Sequence, residues 1–278
     1  MNNGIASLGF GTAGITSMRS YGSVMRLLEA AYGMGITHFD TAPLYGQGYS
    51  EKLIGDFIRR RKIRPAIATK FGLGLPGPLW LRPSIALPLN YYRKLKRTAP
   101  VAAIPAGPVN PAPLSYRRIS LDEVTNSLKG SLLRLRVSYI DYYLLHEALP
   151  SFLEPAAVDF LLSQKEKGVI RQLGVATDGY NLHQLTDADL HNWDVLQYEA
   201  GEFHAKLKER FPSKLHFLHS ALKHISLSTP KAGVPACDQG GYLLARWAQT
   251  NHRGKIVFST RREKVLKENL AAFKKYSI

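Results

Sequence analysis

The strongest constraint in this sequence is an alternation: eight short apolar runs of strand character, separated by stretches whose apolar residues recur at helical spacing. The runs read as Ala6–Phe10, Thr37–Thr41, Ala66–Phe71, Ile140–His146, Gln172–Thr177, Val195–Glu199, Leu215–His219 and Ile256–Thr260. Amphipathic stretches lie around Val24–Tyr32, Glu51–Arg60, Leu121–Leu135, Ala156–Lys167, Leu182–Asp189, Phe203–Arg210, Gly241–Thr250 and Glu263–Phe273. Eight strands, each followed by a helix, is the arithmetic of an α/β fold of the (β/α)8 or TIM-barrel type. The 278 residues suffice for one such domain over residues 1–278. Local signals agree: Ser50 and Ser120 read as helix caps with acidic residues in the turn that follows, and Gly33-Met34-Gly35 and Gly168 read as helix stops. The chain starts almost at its first strand, so a shortened N-terminus is expected.

One segment interrupts the alternation. From Gly72 to Arg118 the chain carries nine of its 16 prolines, the basic run Tyr91-Tyr92-Arg93-Lys94-Leu95-Lys96-Arg97 and the apolar Leu79-Trp80-Leu81. Proline denies backbone donors to a strand or helix interior, so residues 72–118 read as a long βα-loop insertion after the third strand. In a barrel that places it on the active-site face, as a solvated loop, a lid, or a basic docking surface for a partner. The net charge of +16 is concentrated here: Phe57 to Leu121 holds 13 of the 37 Lys and Arg and no Asp or Glu. The rest of the chain is close to balance, so no nucleic-acid partner is expected. No apolar run approaches the roughly 20 residues that span a bilayer, and Met1-Asn2-Asn3-Gly4 lacks the basic start of a secretory signal. A single cysteine, Cys237, excludes an internal disulfide framework and a multi-Cys metal centre. A cytoplasmic protein is the expectation.

Gly9-Phe10-Gly11-Thr12-Ala13-Gly14 matches the dinucleotide fingerprint G-x-G-x-x-G, with Asp40 ending the next strand. A true fingerprint opens its helix at the third glycine, yet Ile15 to Ser23 intervene before the helical pattern begins, which argues against a Rossmann domain. More informative is what the strands carry at their C-terminal ends, where barrel chemistry is built. Asp40 ends the second strand and Tyr45 lies in the loop beyond; Lys70 is at the end of the third strand and His146 at the end of the fourth. Each alone reads as a loop cap, a snorkelling lysine or a packed histidine. Four at matching positions on consecutive strands read as a site.

With these residues in view the sequence resembles the aldo-keto reductase family, from about Leu8 to Ala272 and outside the insertion. The resemblance rests on Asp40-Thr41-Ala42, Tyr45-Gly46 and Ser50-Glu51, on Thr69-Lys70, and on Ser131-Leu132-Leu133-Arg134-Leu135 leading to Tyr139-Ile140-Asp141 and His146. It continues through Gly168-Val169-Ile170-Arg171, Gly174-Val175, Thr260-Arg261-Arg262 and Glu268-Asn269-Leu270. It implies an NADPH-dependent reduction of an aldehyde or ketone, or the reverse oxidation, with Asp40, Tyr45, Lys70 and His146 catalytic and a small carbonyl compound as substrate. A phenol of pKa about 10 needs help to lose its proton at neutral pH, and Lys70 is expected to lower that cost. It further implies cofactor contacts from Gly11, Thr12, Asp40, Thr177, Gln197 and His219, from the Ser220-Ala221-Leu222 loop, and from Ser259, Thr260, Arg261, Glu268 and Asn269. Arg261 favours the 2′-phosphate of NADP, since a guanidinium forks onto phosphate oxygens.

The sequence departs from the family pattern at several points. Ala176-Thr177 stands where a Ser-Asn pair is usual, His219 where an aromatic ring stacks on the nicotinamide, and Val265 where a polar residue is common. These departures leave open a second reading, a cofactor-binding regulatory or partner subunit with little turnover. His216, His219 and His224 lie close in sequence, but strand alternation separates His216 from His219, and no metal site is expected. Glu147 directly follows His146, so continuation of the strand would point it away from the rim.

Overall fold

The computed structural model describes residues 4–73, 117–223 and 232–277. Eight parallel strands close into a ring: β1 (Leu8–Gly11), β2 (His38–Asp40), β3 (Ala66–Phe71), β4 (Ile140–His146), β5 (Ile170–Ala176), β6 (Val195–Glu199), β7 (Leu215–His219) and β8 (Lys255–Phe258). β1 pairs with both β2 and β8, so the sheet has no open edge. Around it lie α1 (Tyr21–Gly33), α2 (Tyr49–Arg61), α3 (Leu121–Leu135), α4 (Pro155–Glu166), α5 (Gly179–Gln184), α6 (Asp187–Leu190), α7 (Phe203–Arg210), α8 (Gln239–Thr250) and α9 (Glu263–Tyr276). The architecture is the expected (β/α)8 barrel. Most of the proline-rich insertion, with Trp80, Tyr91 and Tyr92, lies outside the described residues, as does His224.

Alternation along each strand divides the side chains into two cores. Outward residues such as Phe10, Phe39, Tyr143, Leu196 and Ile256 pack beneath the helices. A smaller inner cluster of Ala68, Leu144, Ala176, Val195 and Phe217 fills the barrel, with Tyr142 and Leu215 below. His38 stands in this inner layer, its ring 5.2 Å from that of Phe217 and 5.4 Å from that of Tyr142. Gly9 makes the room: a Cβ there would come within 2.6 Å of the His38 ring. Neither His38 nitrogen has a hydrogen-bond partner, and burial pushes its pKa down to about 3.

Two buried carboxylates tie the helices to the sheet. Glu51 on α2 accepts from Thr69 Oγ1 on β3 at 2.6 Å and from Arg134 Nε on α3 at 2.6 Å. Asp141 on β4 accepts from the Ile67 backbone on β3 and ion-pairs with Arg64 and Arg171. Both guanidiniums also lie 4.0 Å from the Tyr139 ring centroid. These clamps brace α2, β3 and β4, which deliver Lys70 and His146 to the site.

Four local expectations are corrected. Residues Gly4–Ser7 form a 3-10 turn and β1 starts at Leu8 rather than Ala6, with Ile5 buried beneath it. Ser50 does not cap α2: Gly48, at φ +85°, holds that position, and the Ser50 hydroxyl bonds to Thr41 and Thr12 inside the barrel wall. The fifth amphipathic stretch is two helices, α5 and α6, because Thr186 with Asp189 forms a capping box that starts the chain afresh. The fourth concerns Glu147 and is described below. Ser120 does cap α3, in a capping box with Glu123. Gly14 opens only a 3-10 turn at Ile15–Ser17, and α1 begins at Tyr21, so no helix N-terminus meets the G-x-G-x-x-G run.

Candidate active site

At the C-terminal mouth a cavity of about 450 Å³ is lined by Gly11, Thr12, Asp40, Tyr45, Lys70, His146, Glu147, Ala176, Gln197 and His219, and by Ser220 to Lys223 and Ser259 on its far side. The strand ends deliver these side chains by register: Gly11 pairs with Asp40, His146 with Ala176, and Ala176 with Gln197. Lys70 Nζ is 2.7 Å from Asp40 Oδ1 and 3.0 Å from the Thr41 carbonyl, and it lies 5.2 Å from the Tyr45 ring centroid, close enough to act on the phenol electrostatically. Both members of the ion pair are almost fully buried, with side-chain exposures of 4% and 5%. The other Asp40 oxygen accepts from Gln197 Nε2 at 2.7 Å. Tyr45 meets His146 edge to face, ring centroids 6.3 Å apart.

Burial works against every charge in this cluster, and the contacts decide the outcome. The Asp40 carboxyl stays below its ordinary range because the Lys70 ammonium and the Gln197 amide outweigh its desolvation. Lys70 is held above its ordinary range by Asp40 and Tyr45, against its own desolvation. His146 is driven down to about 3, first by burial and then by Lys70, and so stays neutral at pH 7. For Tyr45 the expected easing by Lys70 is present but outweighed: burial raises the phenol above its ordinary value. The phenol is therefore protonated throughout the neutral range, with a fixed ammonium ready to stabilise the phenolate. The four groups can give a proton to an oxygen placed between Tyr45 and His146.

The proposed cofactor contacts fall in two groups. Gly11, Asp40, Gln197, His219, Ser220, Leu222 and Ser259 line the cavity. Thr12 also lines it, but its hydroxyl donates to the Asp40 carbonyl and shares a bond with Ser50, so that hydroxyl is already engaged. Thr177 is buried beside it, with Oγ1 3.4 Å from Glu147 and 3.5 Å from Asn181. Thr260, Arg261, Glu268 and Asn269 lie beyond the cavity at the start of α9. There Arg261 reaches Ser17 and runs past Gly14, Glu268 lies 3.7 Å from Lys264, and Asn269 is buried against Gly240. A nicotinamide fits the cavity on one observation above others: Gln197 Oε1 is buried without a hydrogen-bond partner, so it offers an acceptor to an amide. Among the described residues no cluster of three or more His, Cys, Asp or Glu forms a metal site. His216 faces outward onto Tyr198 while His219 faces the cavity.

Sequence reasoning missed Glu147. The strand stops at His146, and Glu147 takes a left-handed backbone at φ +47°, so its side chain turns toward the cavity instead of alternating away. Nothing in the local sequence signals this turn.

A parallel eight-stranded barrel with ionisable groups gathered at its C-terminal mouth defines a class of enzyme scaffold, and comparison with known proteins narrows it. The sequence profile of the Aldo/keto reductase family matches residues 7–204, and the chain belongs to that family. It is 33% identical over 155 residues to pyridoxal 4-dehydrogenase of Microbacterium luteolum, covering 51% of this chain and 40% of that one. It is 29% identical over 176 residues to the NADH-specific methylglyoxal reductase of Escherichia coli (strain K12), covering 62% of this chain and 43% of the other. The matches thus span about two fifths of the length of these relatives. Among solved structures, the glycerol dehydrogenase of Gluconobacter oxydans superposes with a TM-score of 0.65 at 15% identity over 96% of this chain and 86% of its own. An aldo-keto reductase of Klebsiella pneumoniae in complex with NADPH gives 0.61 at 16% identity, over 96% of this chain and 84% of that one. At such identities these superpositions speak to the fold alone. Among the described residues no helix is long and apolar enough to cross a membrane.

Proposed function

We propose that this protein is a nicotinamide-dependent oxidoreductase that reduces a small aldehyde or ketone to an alcohol, or runs the reverse, with Tyr45 as the proton donor and NADPH as the preferred cofactor. The observation that carries the reading is the buried Asp40–Lys70–Tyr45 chain, closed by His146 in one cavity with the unpartnered Gln197 oxygen. When bound, the cofactor supplies the hydride. Neutral His146 donates an N–H to the carbonyl oxygen and fixes its position. Tyr45 gives its phenolic proton to the same oxygen as negative charge gathers there, a downhill transfer because an alkoxide is the stronger base. Lys70 stabilises the phenolate left behind, and Asp40 keeps Lys70 charged and aimed.

Gln197 would hold the nicotinamide amide, and Ser220 to Leu222 with Ser259 would follow the cofactor outward. Thr260, Arg261, Glu268 and Asn269 would form the adenosine-phosphate end. The Arg261 guanidinium supports NADPH over NADH through bidentate contact with a 2′-phosphate. The whole chain is read as one barrel domain, with residues 72–118 as an insertion between β3 and α3. A subunit without turnover would have no use for the Lys70–Tyr45 contact, which favours the enzyme.

The test is a titration of the purified protein with NADPH and NADH, followed by tryptophan fluorescence and the thermal midpoint, and then a panel of small carbonyl compounds. Saturable binding with NADPH the tighter ligand, and turnover of at least one aldehyde, is expected. Failure to bind either nucleotide would refute the reading.

A further inference from the structure

The charges at the reacting end of the cavity nearly cancel, and the exception is informative. Asp40 and Lys70 neutralise each other at 2.7 Å. Tyr45 is protonated, and His146 and His219 are both kept below their ordinary range by burial and so are neutral. On the far rim Glu199 and Lys223 form their own ion pair at 2.9 Å. Among the described residues no ion pair includes Glu147, unlike the other charged residues of the cavity, and its side-chain hydrogen bond is with the Thr177 hydroxyl at 3.4 Å.

Its position makes that charge matter. The Glu147 backbone N–H is bonded to the Ala176 carbonyl at 2.8 Å, and φ is +47°, so the residue is fastened to the barrel wall with its side chain turned into the cavity next to His146. It is close enough to Tyr45 to act on that phenol electrostatically. The groups facing it are Asp178 and Thr177 after β5, Lys70 on β3 and Tyr45 in the loop after β2. An ionised carboxylate only accepts hydrogen bonds, and among the described residues only the Thr177 hydroxyl donates to this one, which leaves acceptor capacity for a ligand at the substrate end. A substrate hydroxyl next to the carbonyl group can donate to it. A substrate carboxylate in the same place would set two like charges together in a half-buried space, which costs far more than in water.

We propose that Glu147 is a specificity-determining residue that selects hydroxylated carbonyl substrates, with the hydroxyl on the carbon beside the carbonyl, and rejects those bearing a carboxylate there. The proposal rests on the carbonyl-reductase reading above, and the test separates the two. Three compounds of similar size serve as probes: propanal, glycolaldehyde and glyoxylate. Turnover of propanal reports on the reductase reading alone, since it carries neither group.

For the wild-type enzyme kcat/KM is expected to be about 10- to 100-fold higher for glycolaldehyde than for glyoxylate, most of it in KM. Glu147→Gln should shrink that ratio about tenfold, and Glu147→Lys should invert it. The wild-type ratio should also fall as pH drops and Glu147 takes up a proton, because burial and Asp178 hold its pKa above the ordinary carboxylate value, while the Gln variant shows no such dependence. If a variant fails to fold, the wild-type pH profile of the ratio decides. Propanal turnover with a ratio that neither substitution nor pH moves would overturn the proposal and leave the reductase reading standing. No turnover of any of the three with either nucleotide would overturn both.

Discussion

The Asp40→Asn substitution isolates the electrostatics on which the site depends. In the folded protein the Lys70 ammonium is 2.7 Å from Asp40 Oδ1, with each side chain about one-twentieth exposed. Asparagine keeps the shape but offers one acceptor oxygen where two donors, Lys70 Nζ and Gln197 Nε2, converge. The variant therefore leaves a buried ammonium without its counter-ion, a change that costs about 3–5 kcal/mol when one partner of a buried pair is removed. For a chain of this size that corresponds to a fall in Tm of roughly 6–20 °C. The loss should depend on pH with a definite sign. In the wild type Lys70 is held above its ordinary pKa, so its contribution is complete at neutral pH and lost only as pH rises past the folded value. In the variant Lys70 drops below its unfolded value, so the deficit is largest near neutrality and narrows as the solution becomes alkaline and the amine loses its proton. Urea unfolding of both proteins at pH 7 and pH 10 measures this directly. A difference under about 1 kcal/mol at pH 7, the range of a solvent-screened pair, would refute the claim that the pair is desolvated.

Other expectations follow from the same structure. His38→Leu removes two unpartnered buried nitrogens; between pH 6.5 and 4.5 the wild type should lose about 2–3 kcal/mol of stability that the variant keeps, because only the unfolded histidine binds a proton there. Parallel loss in both proteins would show that His38 is not the titrating group. Glu51→Gln and Arg134→Met should each cost about 3–5 kcal/mol, while the double variant should cost clearly less than their sum in a denaturation cycle. Because burial raises Tyr45, the rate of carbonyl reduction should not fall through Tyr45 ionisation at neutral pH, but only as pH passes the raised value above about 10. A decline centred near pH 7 would assign the proton to another group. Arg261→Ala should weaken NADPH about 10- to 100-fold in a binding titration and leave NADH within about threefold; equal weakening of both would remove the 2′-phosphate assignment.

Much of the architecture was legible because strand period and rim position are written in residue order. Runs such as Ala66–Phe71 and Ile140–His146 match their strands end to end, and their last inward residues are Lys70 and His146. The cluster could be anticipated because parallel strands in register bring their C-terminal residues to one rim. What sequence did not show depends on contacts across the fold. Ser50 has the composition of a cap, but its hydroxyl is claimed by Thr12 and Thr41 from other elements. The direction of the Tyr45 shift depends on how deeply the phenol is buried, and the Lys70 contact alone suggests the opposite sign. The side taken by Glu147 was legible only on the condition that the strand continued, and the chain leaves it in a left-handed turn one residue after His146. The split of α5 from α6 was within reach, since Thr186 and Asp189 have capping-box spacing.

The most direct test of the account is the Tyr45→Phe variant, compared with wild type for NADPH binding by fluorescence and for steady-state reduction of propanal. The phenylalanine keeps the ring that packs against His146 and removes only the hydroxyl on which Lys70 acts electrostatically. NADPH affinity is expected to change by less than about threefold while kcat falls by about 10²- to 10⁴-fold, the range assigned to a positioned general acid. A variant that binds NADPH and still turns over propanal within a few-fold of wild type would contradict the assignment of Tyr45 as the proton donor, and with it the mechanism built on the Asp40–Lys70–Tyr45 chain.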